Sequence, residues 1–317
     1  MTDKPAKSSS LIPYGLCAGL LFLLVLDKSG VNTSITSTAP AATAPPCVKQ
    51  ADSASSARLR NAYIGLMKNT VTGSLFDEMG ACVMGSGGGC DKQQPYVHAK
   101  RLKGGDWPYV GHTMVGHMRI DNIRMALEDV INNNVPGDFL EMGVWRGGAC
   151  AYARAVLNVY EQRDRSVHLF DAFESIAGYG GSSKFLANTE AQVKHNLDKY
   201  ELSEGTYFHK GLFKDTVPSF AKAFTGQIAV LRIDGNYYDS YQDAMYYLYD
   251  KVPVGGYVIF DDIMSHSAVR RFWEDFKRDQ GVPEDITPID DHSAYFKKTK
   301  AIATDFKFFR APQDANK

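Results

Sequence analysis

Apolar residues recur three and four apart in ARLRNAYIGLMKNT, which predicts a helix over 57–70. The glycine-rich stretch from Gly73 to Gly111 shows neither the helical nor the strand period. A loop of that length reads as a lid, a binding loop or disorder. The helical period returns in HTMVGHMRIDNIRMALEDVINNN, and VPGD at 135–138 breaks it. Beyond this point short apolar runs alternate with helical ones. DFLEMGV, SVHLFDAF, TYFHKGLF, QIAVLRIDG and GGYVIFDDI read as strands. GGACAYARAVLNVYE, NTEAQVKHNLDKY, TVPSFAKAF, DSYQDAMYYLYDKV and SAVRRFWEDFKRDQG read as the helices after them. Such alternation gives an α/β fold, a mostly parallel sheet with helices on both faces. SAYFKKT and FKFFR in the tail are expected to add two strands, and no internal repeat is visible.

The first residues break the pattern. Lys4 and Lys7 precede an apolar run from Leu11 to Leu26 that Asp27 and Lys28 end. This reads as a signal anchor over 1–28, with a cleaved signal peptide as the alternative. Ser29 to Pro46 is rich in Ser, Thr, Ala and Pro and cannot bury a core, so 29–56 reads as a flexible stem. One domain over 57–311 takes up the rest, with lid and N-terminal helices at 57–134 and an α/β core at 135–311. An anchor, a stem and a globular domain predict a single-pass ER or Golgi membrane protein with a lumenal catalytic domain. A secreted or organellar protein is the alternative.

Charge and cysteines change this picture little. With 35 basic and 36 acidic residues the net charge is −1, which gives no support to nucleic acid as a partner. Cys82 and Cys90 flank VMGSGGG, a loop that an oxidising compartment would allow to close as a disulfide. No Cys/His spacing suggests zinc.

Ligands of such a sheet bind beyond the carboxyl ends of its strands. The first strand ends at Glu141, followed by Gly143, Gly147 and Gly148. That G-x-x-x-G-G spacing differs from the dinucleotide fingerprint and suits a ligand with an ammonium end. Asp171 ends the second strand, where a carboxylate accepts from ribose hydroxyls. Asp234 ends the fourth strand, and Asp261 and Asp262 end the fifth. Carboxylates converging at one edge repel each other, and a hard divalent cation, Mg²⁺ first, relieves this. Asn236 offers a further neutral oxygen. Asp234, Tyr237 and His266 are the candidate catalytic bases. The structural alternatives are a tight turn without ligand at 141–148, a capping role for Asp171, and helix caps at Asp239 and Asp262. In the lid, Tyr96, Trp107 and Tyr109 are candidates to stack on a ligand or to pack the lid down.

Together these stretches resemble the macrocin-type sugar O-methyltransferases, over roughly Arg101 to Phe296. KRLKGGDWPYVGHTMVGHMRIDNI is similar to that family's lid and first helix, and VPGDFLEMGVWRGGAC to its S-adenosylmethionine loop. KGLFKDTVP and LRIDGNYYDS…GGYVIFDDI are similar to its third to fifth strand ends. The resemblance implies a Rossmann-like class I methyltransferase fold and metal-dependent methyl transfer from S-adenosylmethionine to a sugar hydroxyl. It implies cofactor contacts at Glu141, Gly143 and Asp171, a cover from Thr113 and Met114, and an adenine site near Gly211 and Phe213. It implies metal ligands at Asp234, Asp261 and Asp262, and a possible homo-oligomer. The chain departs from the family at Asn236, where D-G-D is usual, and at Ala172, where serine is usual. A lumenal metal-dependent glycosyltransferase and a non-catalytic binding protein on the same fold are the competing readings.

Overall fold

A computed structural model describes residues 53–83, 93–176 and 183–310, without the side chains at 81–83 and 183–184. The expected anchor and residues 29–52 of the expected stem lie outside the described residues, as do Cys90 and the side chain of Cys82; residues 54–56, read as stem, form the first turn of a helix.

Helix α1 (Ala54–Val71) starts where the Ser53 side chain accepts from the Ser56 amide, and it buries Ile64, Met67 and Val71. The glycine-rich stretch is more ordered than its lack of period suggests. It holds an antiparallel pair, β1 (Gly80–Val83) and β2 (Asp106–Pro108), with the short helix α2 (His98–Leu102) between. Buried Arg101 ties this segment together. It donates to both oxygens of Asp106 and to the carbonyls of Thr72 and Glu78. Helix α3 (His117–Asn132) begins later than its pattern suggests, because the His112 and Thr113 amides are taken by the Val71 carbonyl.

The alternating half follows as β3 (Asp138–Met142), α4 (Gly148–Val159), β4 (Val167–Asp171), α5 (Ser183–Leu186), α6 (Glu190–Asp198), β5 (Thr206–Lys210) and α7 (Phe213–Ala223). Then come β6 (Ile228–Ile233), α8 (Tyr238–Leu248), β7 (Tyr257–Phe260), α9 (Ser267–Gln280), β8 (Thr287–Pro288) and β9 (Ala294–Lys297). A capping box of Thr189 and Gln192 opens α6. The sheet order is β5-β4-β3-β6-β7-β9-β8. The first five strands are parallel, and β9 runs antiparallel to β7 and β8. FKFFR is no strand. Phe306–Phe308 form one 3₁₀ turn, and rings of Phe306 and Phe309 pack edge-on against Tyr246 and Tyr247 of α8. The second added strand is 287–288 instead.

Strand alternation sends Phe139, Val167, Leu169 and Ile259 into a core with α1, α3 and α4. Leu140, Met142, Leu231 and Ile233 enter the opposite core with α8 and α9. The chain leaves β3 toward β4 on one side and returns to β6 on the other. The strand order therefore reverses between β3 and β6, which opens a crevice at their carboxyl ends.

Candidate active site

A cavity of about 880 Å³ fills this crevice, a volume that suits a small-molecule ligand. Its wall includes Thr113, Met114, Glu141, Gly143, Asp171, Gly211 and Phe213. At Gly143 φ is +89°, and an added Cβ would meet the Asp234 carbonyl oxygen at 2.0 Å. Only glycine lets β3 and β6 leave the sheet this close together. Asp171 shapes the same turn, because its carboxylate accepts from the amides of Val144 (2.8 Å), Trp145 (3.3 Å) and Phe173 (3.0 Å). The capping reading of Asp171 is thus realised, and the residue also faces the cavity. Gly147 closes the same turn beside the cavity wall. It is the N-cap of α4 at φ +86°, and an added Cβ would meet Val193 of α6 at 2.7 Å. Its glycine serves helix packing. The lid docks here too, as the Gly148 amide donates to the His112 carbonyl at 2.8 Å.

Beneath the cavity lies a buried ionic ladder. Glu141 and Arg232 are register partners on β3 and β6, and Asp261 follows β7 on the same face. Arg232 donates to Glu141 (2.5 Å), Asp234 (3.1 Å) and Asp261 (2.9 Å). The other Glu141 oxygen accepts from the Cys150 thiol at 2.7 Å. Asp261 also accepts from Arg119 (2.8 Å) and Ser293 (2.8 Å). Burial disfavours the Asp261 anion, yet Arg119 and Arg232 hold it well below the usual carboxylate range. Asp234 goes the other way, raised by burial and by the Asp261 charge. Asp262 is pushed up to about 7 by burial and the same neighbour. Arg232 was not singled out from the sequence. Its signal was a lone arginine in a strand otherwise apolar on both faces, which burial demands be paired.

One oxygen from each of Asp234, Asp261 and Asp262 lies within 4.8 Å of the others. Asp262 Oδ2 is buried and accepts no hydrogen bond. Three hard oxygen donors, one without a partner, fit a divalent cation. Helix capping does not account for them. The N-cap residues of α8 and α9 are Tyr237 and His266, and neither makes a side-chain cap bond. Asp234, Tyr237 and His266 all reach the cavity wall. His266 Nδ1 lies 3.6 Å from Asp262 Oδ1, and burial together with His292 lowers its pKa. Asn236 is on the wall at φ +57°, a backbone region that asparagine tolerates.

Two further residues of the wall, Trp145 and Asp243, were not singled out from the sequence. Trp145, at φ +49°, flanks Phe185 (5.6 Å), on which Trp107 of the lid stacks at 5.9 Å. Of the three lid aromatics only Trp107 is on the wall; the Tyr96 hydroxyl bonds to His98 instead. Asp239 and Asp243, one turn apart on α8, face the cavity. Burial, then the Asp239 and Asp215 charges, push Asp243 up to about 7. A carboxyl raised on folding stabilises fully below its unfolded value near 4 and loses that contribution as pH rises through about 7. Asp243→Asn, neutral throughout, should therefore gain in melting temperature over the wild type between pH 4 and 7 and level off above. Parallel melting curves across that range would refute the assignment.

The Macrocin-O-methyltransferase (TylF) family model matches residues 60–298. Demethyldecarbamoylnovobiocin O-methyltransferase of Streptomyces niveus is 37% identical over 252 residues, covering 75% of this chain and 94% of that enzyme. Mycinamicin III 3''-O-methyltransferase of Micromonospora griseorubida is 31% identical over 253 residues, covering 75% and 96%. The solved structure of the O-methyltransferase NovP aligns with a TM-score of 0.67 at 36% identity, covering 76% of this chain and 100% of that one.

These relatives correct the expected cellular placement. They are bacterial enzymes matched over nearly their whole length. Among the described residues no helix is long and apolar enough to cross a membrane. The reading as a secretory-pathway membrane enzyme with a lumenal domain is not upheld.

Proposed function

Given that the chain belongs to the macrocin O-methyltransferase family and is an S-adenosylmethionine-dependent O-methyltransferase, we propose that it methylates a hydroxyl of a sugar or glycoside with the help of a divalent cation. Membership of that class sets aside both the glycosyltransferase and the non-catalytic readings. The sugar acceptor is supported by a relative of Streptomyces olivaceus, 35% identical over 258 residues, whose name is that of a 4'-O-methyltransferase of a rhamnosyl-bearing tetracenomycin. The single observation that carries the metal is the unpartnered, buried Asp262 Oδ2 beside Asp234 and Asp261.

In the reaction, an acceptor oxygen attacks the methyl carbon in line, the carbon–sulfur bond breaks, and the hydroxyl proton passes to a base. The neutral thioether S-adenosylhomocysteine leaves. We assign Glu141 to the cofactor's ammonium end, since each of its oxygens keeps a second lone pair beside Arg232 and Cys150. We assign Asp171 to the ribose and Gly211 and Phe213 to the adenine, with Thr113 and Met114 as the cover. The residues proposed to hold the cation are Asp234, Asp261 and Asp262. When bound there, a divalent cation supplies a Lewis acid that lowers the pKa of the acceptor hydroxyl. Asn236 has no basic atom, so the proton goes to another wall residue. His266 is our choice over Asp234 and Tyr237. Partial burial and the His292 charge lower its pKa, the Ser265 hydroxyl 3.0 Å from Nδ1 orients the ring, and Asp262 3.6 Å away stabilises the imidazolium that forms.

The test is calorimetric titration of the described domain with S-adenosylmethionine, followed by turnover on a panel of free sugars and glycosides. Turnover should stop on chelation and return with Mg²⁺ or Mn²⁺. His266→Gln should lower kcat by about 10²-fold with cofactor affinity unchanged. Activity that survives chelation removes the metal from the reading, and a full-rate His266 variant removes the base.

A further inference from the structure

Arg119 of α3 lies beside the site and is almost fully buried, with 6% of its side chain exposed. Its guanidinium joins three separate parts of the chain. Nη1 donates to Asp261 at the end of β7 (2.8 Å). Nε donates to Asp290 in the loop between β8 and β9 (2.8 Å). Nη2 donates to the Lys103 carbonyl at the start of the lid (3.1 Å). The lid sits directly on this group, because a Cβ added at Gly104 would come within 2.4 Å of Nη2. Asp290 is held in turn, since its other oxygen accepts from the His292 and Ser293 amides at 2.8 and 2.9 Å. At the far end of the lid segment, His112 and Thr113 are bound to Val71, and His112 to Gly148. The segment from Lys103 to Thr113 is therefore pinned at two ends, and Arg119 is the pin nearer the carboxylates.

We propose that Arg119, braced by Asp290, is a positioning residue that latches the lid onto the carboxylate shelf and so sets the cover over the cofactor. A buried guanidinium satisfied on three sides has one low-energy place, and whatever it holds shares that place. Seating of the lid and the arrangement of Asp261 are then coupled, and coupling of binding free energies is reciprocal. The inference rests on the reading that Thr113 and Met114 cover the cofactor.

The test uses the full chain in the presence of chelator, so that it does not depend on the metal. S-adenosylmethionine affinity is titrated for Arg119→Lys, Arg119→Met and Asp290→Asn, and amide hydrogen exchange is followed over residues 103–115. Asp290 lies outside the cavity wall, and its asparagine variant keeps the side-chain shape if the arginine variants fail to fold. The latch predicts weaker cofactor binding by about tenfold in each folded variant, with faster exchange in that segment. Met114→Ala is the control for the cover. If it weakens binding while Asp290→Asn changes neither affinity nor lid exchange, the latch is overturned and the cover stands. If neither variant changes affinity, both fall. A lower melting temperature alone, with affinity and exchange intact, assigns Arg119 to stability and also overturns the latch.

Discussion

Asparagine at both Asp234 and Asp262 should reduce methyl transfer by at least ~10³-fold while the protein stays folded and still binds S-adenosylmethionine. The size follows from the role proposed for the pair. A Lewis acid at the acceptor oxygen is worth several kcal/mol of transition-state stabilisation, and every 1.36 kcal/mol is tenfold in rate. The substitutions keep volume and hydrogen-bonding shape, so packing is preserved. The fold should gain from them. Both carboxyls are raised on folding by burial and by the Asp261 charge, so ionising them at neutral pH opposes the folded state. In chelator at pH 8 the double variant should melt above the wild type, and added Mg²⁺ should raise the melting temperature of the wild type alone. A double variant that keeps its rate, or one that loses stability without gaining insensitivity to Mg²⁺, would sink the cation site.

Arg232→Met should destabilise the fold by about 3–5 kcal/mol, the range for removing one partner from a buried ion network. Arg232 is 1% exposed and answers Glu141, Asp234 and Asp261 at once. Methionine fills much of the volume but leaves Glu141 buried between β3 and α4 with only the Cys150 thiol as donor. Urea denaturation should show a lower midpoint with an unchanged slope. Glu141→Gln combined with Arg232→Met should recover part of the loss, because the uncompensated charge is then gone. A single variant that loses less than about 1 kcal/mol would mean that Arg119 alone carries the charge balance.

Much of this was legible along the chain. The five parallel strands follow from apolar runs spaced by helical periods, and each acid at a strand end was visible because a both-face-buried strand has no other reason to stop on a carboxylate. Asp234, Asp261 and Asp262 needed only the rule that parallel strands deliver their carboxyl ends to one edge. The misreadings have physical causes. FKFFR has strand-like composition, yet rings on α8 offered its phenylalanines better contacts than a sheet edge did. The apolar N-terminal run fits an anchor by composition alone, and composition does not say where a protein resides.

The sequence by itself determined the five parallel strands and the three acids at their ends, because period and strand ends are local properties of the chain; the strand order and its reversal between β3 and β6 belong to the tertiary structure. Only the tertiary structure decided which charges neutralise the acids. Arg119 reaches Asp261 across 142 residues and Asp290 across 171. Arg232 meets Glu141 across 91 residues because two strands pair in register. Two guanidiniums that hold Asp261 ionised leave Asp234 and Asp262 raised beside it. That division comes from distance and burial in three dimensions, and no local pattern encodes it.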